Sequence, residues 1–152
     1  MTYQISGLAP AAFADAAALI ADGAVRVVAD AQHGFPCRIT LEDAEPGESL
    51  LLVNYVSADV HTPFRASLAI FVREGAREAA SYRDTIPPLI ERRTTSLRAF
   101  DRVGMIRAAA LVPPGEADGS LREMLADAAI DHVDIHAAAW GCFLARAERC
   151  HA

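Results

Sequence analysis

His132, Asp134 and His136 alternate with Val133, Ile135 and Ala137, a spacing that places the three polar groups on one face of a strand. Two imidazoles and a carboxylate are metal-ligand types. A rise of about 3.3 Å per residue, however, separates the outer two Cα atoms by roughly 13 Å. With metal–nitrogen bonds of about 2.1 Å, only an adjacent pair could share one ion. A metal centre at His132, Asp134 and His136 is therefore the weaker alternative, and no metal or other cofactor is expected. The plain reading is a half-exposed antiparallel strand showing its polar face to water. Arginine supplies a second chemistry, because Arg38, Arg73, Arg98 and Arg107 fall within or beside expected strands. On a strand from Thr95 to Phe100, Arg98 shares a face with Ser96 and Phe100, while Leu97 and Ala99 point the other way. A guanidinium held on a rigid sheet can take a carboxylate or phosphate bidentately. The competing reading is a structural ion pair with Asp101, Asp43 or Glu48. Cys142 lies six residues beyond His136, so a thiol nucleophile with histidine as base is conceivable. Cys37 adjoins Arg38, but consecutive strand residues face opposite ways, and a buried cysteine acting as a small hydrophobe is the plain reading. The candidate ligand-binding set is Arg38, Arg98, His136 and Cys142.

Composition narrows what such a set can serve. In 152 residues there are 14 basic and 20 acidic side chains, a formal net charge of −6. That balance argues against nucleic-acid and anionic-membrane partners. A small anionic molecule fits better, and self-association into a homo-oligomer stays open. Every basic residue is arginine. Without lysine, Schiff-base chemistry and a Walker-type phosphate loop are excluded. Alanine contributes 32 residues to the 53% hydrophobic content, leaving enough bulky apolar groups for one core and too many for a disordered chain. Three cysteines, Cys37, Cys142 and Cys150, form no zinc-module spacing and are expected to be reduced. No apolar run approaches a membrane span, and no basic stretch followed by an apolar segment opens the chain. A cytoplasmic protein is the expectation.

The elements that must position these residues follow from turn signals. Residues 2 to 7 read as a strand and 11 to 21 as a helix closed by Gly23. Residues 24 to 30 are β-branched, 32 to 36 turn, and 37 to 41 resume an extended pattern. Ser49 to Val56 is the most apolar run and reads as a strand covered on both faces. Further strands are expected at 67 to 73, 94 to 100 and 104 to 112, the last two joined as a hairpin through Asp101-Arg102-Val103-Gly104. Ser120-Leu121-Arg122-Glu123 has capping-box form, so a second helix is expected to start near Ser120. His132 to Ala137 and Cys142 to Arg149 close the chain. The sum is one α+β domain over residues 1 to 152, a single mostly antiparallel sheet with two helices on one side.

Five ordered segments, Phe35-Pro36-Cys37-Arg38, Gly47-Glu48-Ser49-Leu50-Leu51-Leu52, Ile70-Phe71-Val72-Arg73, Ser96-Leu97-Arg98-Ala99-Phe100-Asp101 and His136 through Gly141-Cys142, together resemble the domain of unknown function 1203 family of bacterial single-domain proteins. The resemblance spans essentially the whole chain and implies no activity. The family's closing strand often carries a histidine where Asp134 stands here, a departure that weakens a metal reading built on a histidine pair. From the residues, the leading function is binding of a small anion through strand arginines with His136 as donor or acid/base group. The second is a non-catalytic interaction or self-association domain with structural polar motifs. The third is a metal- or thiol-dependent enzyme, and whether any reaction is catalysed stays open.

Overall fold

A computed structural model describes residues 1–151. In chain order the elements are β1 (Tyr3–Ser6), a 3-10 turn (Pro10–Phe13), α1 (Ala16–Ala21), β2 (Val25–Val28), β3 (Ser49–Ala58), β4 (Ala66–Arg73), β5 (Ser81–Arg83), α2 (Pro88–Glu91), β6 (Thr95–Phe100), β7 (Ile106–Val112), α3 (Ala117–Ala126), β8 (His132–Ala137) and β9 (Phe143–Arg149). The α+β, antiparallel expectation holds, but the strands divide between two sheets rather than forming one. Six of them run in the order β5-β1-β9-β8-β6-β7, and three in the order β2-β3-β4. Every pairing between named strands is antiparallel. No helix among the described residues is long and apolar enough to cross a membrane.

Among the described residues three helices form where two were expected, and they do not share one sheet. Leu121 and Leu125 of α3 join Leu97, Ala99, Val133, Ile135, Ala145 and Ala147 of the six-stranded sheet in the larger apolar cluster. Phe13, Ala16 and Leu19 instead pack beside Leu51, Val53, Ile70 and Val72 of the three-stranded sheet. The expected helix over 11 to 21 is broken in the middle because Asp15 caps a new start, its carboxylate accepting from the Ala18 N–H at 3.0 Å. The expected capping box at Ser120 does not form. The helix begins one turn earlier, at Ala117, after the Pro113-Pro114-Gly115 turn, and the Ser120 N–H already donates to the Glu116 carbonyl.

Residues 37 to 41 do not extend as expected. The Cys37 carbonyl accepts from the Leu41 N–H at 2.9 Å and the Cys37 N–H donates to Glu42 at 2.9 Å. Leu41 takes a φ of 51° to close this turn, a conformation rare for a residue with a branched side chain. The turn aims Arg38 inward and lays its backbone against β4 through a single bridge from Cys37 to Phe71.

β8 is buried on both faces, and this is the largest departure from expectation. Val133 and Ile135 face α3, while His132, Asp134 and His136 are 9%, 0% and 4% exposed on the other side. The cover there comes from the smaller sheet: Tyr55 of β3 lies 5.6 Å from Phe143 of β9, ring centre to ring centre, and the Ser57 carbonyl takes a bond from Arg146. The strand shows its polar face to a second sheet, not to water.

Gly7 joins the N-terminal segment to the Arg38 turn at van der Waals limits. A Cβ added there would sit 1.9 Å from the Ile39 carbonyl oxygen and 2.8 Å from its carbon. Both are backbone atoms, so the clash cannot be relieved by a rotamer change. Gly7→Ala is expected to lower stability by about 3 kcal/mol or more. Urea unfolding at constant pH measures this, and a loss below about 1 kcal/mol would mean the two segments separate easily.

Candidate functional site

The polar seam between the sheets is built by register. Asp134 of β8 lies opposite Arg146 of β9 and opposite Arg98 of β6, and His136 lies opposite Ser96 of β6 and Phe143 of β9. Only one of the two flanking arginines bonds the carboxylate. Arg146 grips it through Nε at 2.7 Å and Nη2 at 3.2 Å. Asp134 is thereby satisfied in a site with no exposure.

Arg98 is left over. Its hydrogen bond within the protein is a long one, Nε to the Ser96 hydroxyl at 3.4 Å. The three acids that could have been its structural partner are engaged elsewhere: Asp101 by Arg107 at 2.6 Å, Asp43 by Arg92 and Arg93 at 2.6 Å each, and Glu48 by Arg73 at 3.1 Å. The four strand arginines therefore separate into Arg73 and Arg107, which are paired with acids, and Arg38 and Arg98, which have no carboxylate partner among the described residues.

Arg38 is the more extreme of the second pair, at 1% exposure. Nε donates to the Phe143 carbonyl at 2.7 Å, Nη1 to the Pro36 carbonyl at 2.6 Å, and Nη2 to Cys142 Sγ at 3.0 Å. Burial pushes its pKa down, against the opposing pull of Cys142. Cys142 is delivered by the β8–β9 turn, in which Gly141 takes a φ of 76° and the Ala137 N–H donates to the Cys142 carbonyl at 2.9 Å. The same turn fixes His136, whose Nδ1 lies 2.8 Å from the Gly141 carbonyl. A carbonyl can only accept, so Nδ1 carries the proton and neutral His136 keeps Nε2 as an acceptor.

Burial holds His136 below its ordinary 6.5, and the Arg98 and Arg38 charges push the same way. The bond to Gly141 and the Asp134 charge oppose them. Arg38, Arg98, His136 and Cys142 thus occupy one region, where hydrogen bonds link Arg38 to Cys142 and His136 to the turn holding that cysteine. Cys37 belongs elsewhere: it is fully buried in the smaller apolar cluster, and its Sγ accepts from the Arg73 N–H at 3.2 Å. All three cysteines are free thiols.

The alternative metal trio is not assembled. Asp134 is held by Arg146, His132 Nε2 stands 3.8 Å from it, and His132 Nδ1 faces Asp131 at 2.9 Å. No group of three or more His, Cys, Asp or Glu side chains among the described residues is placed to hold one ion. The sequence reading missed Arg146, Tyr55 and Ser57. Arg146 was detectable, because a β8–β9 hairpin closed by Trp140-Gly141 sets it opposite Asp134. The cover from β3 had no local signal. Clefts of about 360 and 560 Å³ lie away from the seam, the first beside His33, Asp43 and Arg92 and the second beside Thr40, Arg77 and Ser81. None of the four candidate residues lines either cleft.

Because His136 is held neutral in the folded protein, the unfolded chain binds more protons as pH drops through 6.5. Its contribution to stability is therefore fully present above that pH and is lost progressively below it. Wild type and His136→Gln, unfolded in urea at pH 7.5 and 5.5, should show a smaller pH-dependent loss in the variant. Equal losses in the two proteins would contradict the assignment of a neutral, buried imidazole.

A family model described as "Protein of unknown function (DUF1203)" matches residues 34–149. The matched stretch includes Arg38, Arg98, His136 and Cys142. No match was found among curated proteins or among solved structures.

Proposed function

The chain belongs to the DUF1203 family, whose description carries no activity, and from the seam itself we propose that the protein binds a small carboxylate or phosphate compound at Arg98, with His136 beside it and Arg38 and Cys142 behind. The observation that carries this reading is the guanidinium of Arg98, half-buried on a central strand and without an acid partner among the described residues. The guanidiniums of Arg98 and Arg146 flank one buried carboxylate, Asp134, and the charges of Arg98 and Arg38 both act on the neighbouring His136. An excess of positive charge in a region of reduced dielectric favours an anion from solution. Neutral His136 adds a hydrogen-bond acceptor, which suits an anion that also carries a hydroxyl group, such as a hydroxy acid or a hydrogen phosphate.

Two substitutions separate a binding arginine from a structural one. Arg98→Met keeps the length of the stem and strands no carboxylate, so stability should change by less than about 0.5 kcal/mol. Arg146→Met leaves Asp134 charged and unpaired in a fully buried position and should cost about 3 to 5 kcal/mol. Urea unfolding reads both. In thermal-shift titrations with phosphate and with small carboxylates, wild type should gain about 3 kcal/mol of stability at a hundredfold excess over Kd. Arg98→Met should lose that gain. A flat response of wild type to every anion, with Arg98→Met destabilised by several kcal/mol, would overturn the proposal.

A further inference from the structure

Arg38 poses a charge problem that two of its three hydrogen bonds do not solve. The carbonyls of Phe143 and Pro36 satisfy Nε and Nη1 but carry no net charge. The remaining donor, Nη2, is directed at Cys142 Sγ, 3.0 Å away. Those carbonyls belong to chain segments more than a hundred residues apart, so the guanidinium plane is fixed from two sides and cannot swing away from the sulfur. Cys142 itself is half-buried, unlike the sealed Cys37. Cys150 lies at the far end of β9, and its sulfur takes no hydrogen bond from a cation among the described residues. A thiol becomes reactive when a fixed cation stabilises charge on its sulfur while solvent can still reach it. Cys142 has the fixed cation and sits on a half-buried turn, with Arg38 rather than His136 as the activating group.

We propose that Cys142 is a nucleophilic thiol that a small hydroperoxide oxidises to the sulfenic acid, with Arg38 stabilising the anionic sulfur. The sulfur attacks the terminal peroxide oxygen, so an S–O bond forms as the O–O bond breaks. The sulfur loses two electrons and the peroxide gains them. The departing alkoxide, or hydroxide from hydrogen peroxide itself, takes up the former thiol proton and leaves as alcohol or water. The inference deepens the anion-binding reading, because it places a reactive group on the wall of the same electropositive site, but it rests on Arg38 and not on Arg98.

The wild-type protein supplies its own references. Limited alkylation at pH 7 is followed by peptide mass spectrometry on native and on urea-unfolded protein, separately with neutral iodoacetamide and anionic iodoacetate. A thiol of ordinary pKa is only a few per cent ionised at that pH, so an activated Cys142 should react about tenfold faster in the native protein than in the unfolded one. Its preference should also shift toward iodoacetate relative to Cys150, since the positive field of buried Arg38 and of Arg98 draws the approaching carboxylate. With hydrogen peroxide and dimedone present, the sulfenic-acid adduct should appear first at Cys142. Arg38→Met should remove the acceleration. If that variant does not fold, the iodoacetate-to-iodoacetamide ratio of the wild type still decides the question. Native Cys142 reacting no faster than the unfolded reference, or dimedone labelling Cys150 as early as Cys142, would overturn the inference. Fast Cys142 alkylation in a protein that ignores phosphate and carboxylates supports this inference and removes the anion-binding reading. Anion binding with an unreactive Cys142 does the reverse.

Discussion

A guanidinium at 1% exposure with no carboxylate beside it is the constraint around which the rest of the molecule is arranged. Arg38 cannot shed its proton and cannot be left unbonded in an apolar interior. Its donors are met by the backbone of the 36–38 turn, the start of β9 and a sulfur on the β8–β9 turn. Those three acceptors come from opposite ends of the chain, so the two sheets must meet here for the arginine to be satisfied at all. The strained turn at Leu41, the contact of Gly7 with Ile39 and the bridge from Cys37 to Phe71 all serve to hold that arginine in place.

From this constraint follows the character of the seam. An apolar interface between the sheets would be simpler and, by the usual comparison of buried ion pairs with hydrophobic replacements, no less stable. Instead β8 presents His132, Asp134 and His136 to the smaller sheet, and the ion pair of Asp134 with Arg146 is the part of the seam that is fully neutralised. Arg38 and Arg98 are not neutralised by acids, although the protein as a whole carries a net charge of −6. Acids are available elsewhere and are used: Asp43 alone engages Arg92 and Arg93. Positive charge concentrated in one seam of an acidic protein is what an anion site requires.

Much of this was readable from the residues. Alternation located β8 and put its three polar groups on one face, and turn chemistry at Asp101 to Gly104 gave the β6–β7 hairpin with Arg98 beside Ser96. The four candidate residues do share one region. Long-range facts were not readable. The apolar run from Ser49 to Val56 read as a strand covered on both faces, but within it only the neighbours Leu50 and Leu51 are both buried, and one face opens at Asn54 and Val56. The run could not say that the opposite face of this sheet would cover β8, so the polar strand was expected to face water. The turn at residues 37 to 41 looked extended because Cys37, Ile39, Thr40 and Leu41 are β-branched or apolar; tertiary contacts at Ile39 and Leu41 outweighed that local preference. Ser120 to Glu123 carries a capping signature, yet the stop imposed by Pro113, Pro114 and Gly115 let the helix begin three residues earlier. Nothing local indicated that Arg38 would be buried without an acid.

The central claim is that the seam holds positive charge in reserve for an anion, and arginine side-chain NMR tests it directly. With no lysine in the chain, the Nε–H resonances report every basic side chain. On titration with phosphate, the Arg98 resonance should move and saturate, the neighbouring Arg38 should respond at the same concentrations, and Arg26, paired with Glu74 on the outer edge strand, should stay in place. Movement of all arginines together without saturation, or a fixed Arg98 resonance through the whole titration, would contradict the account.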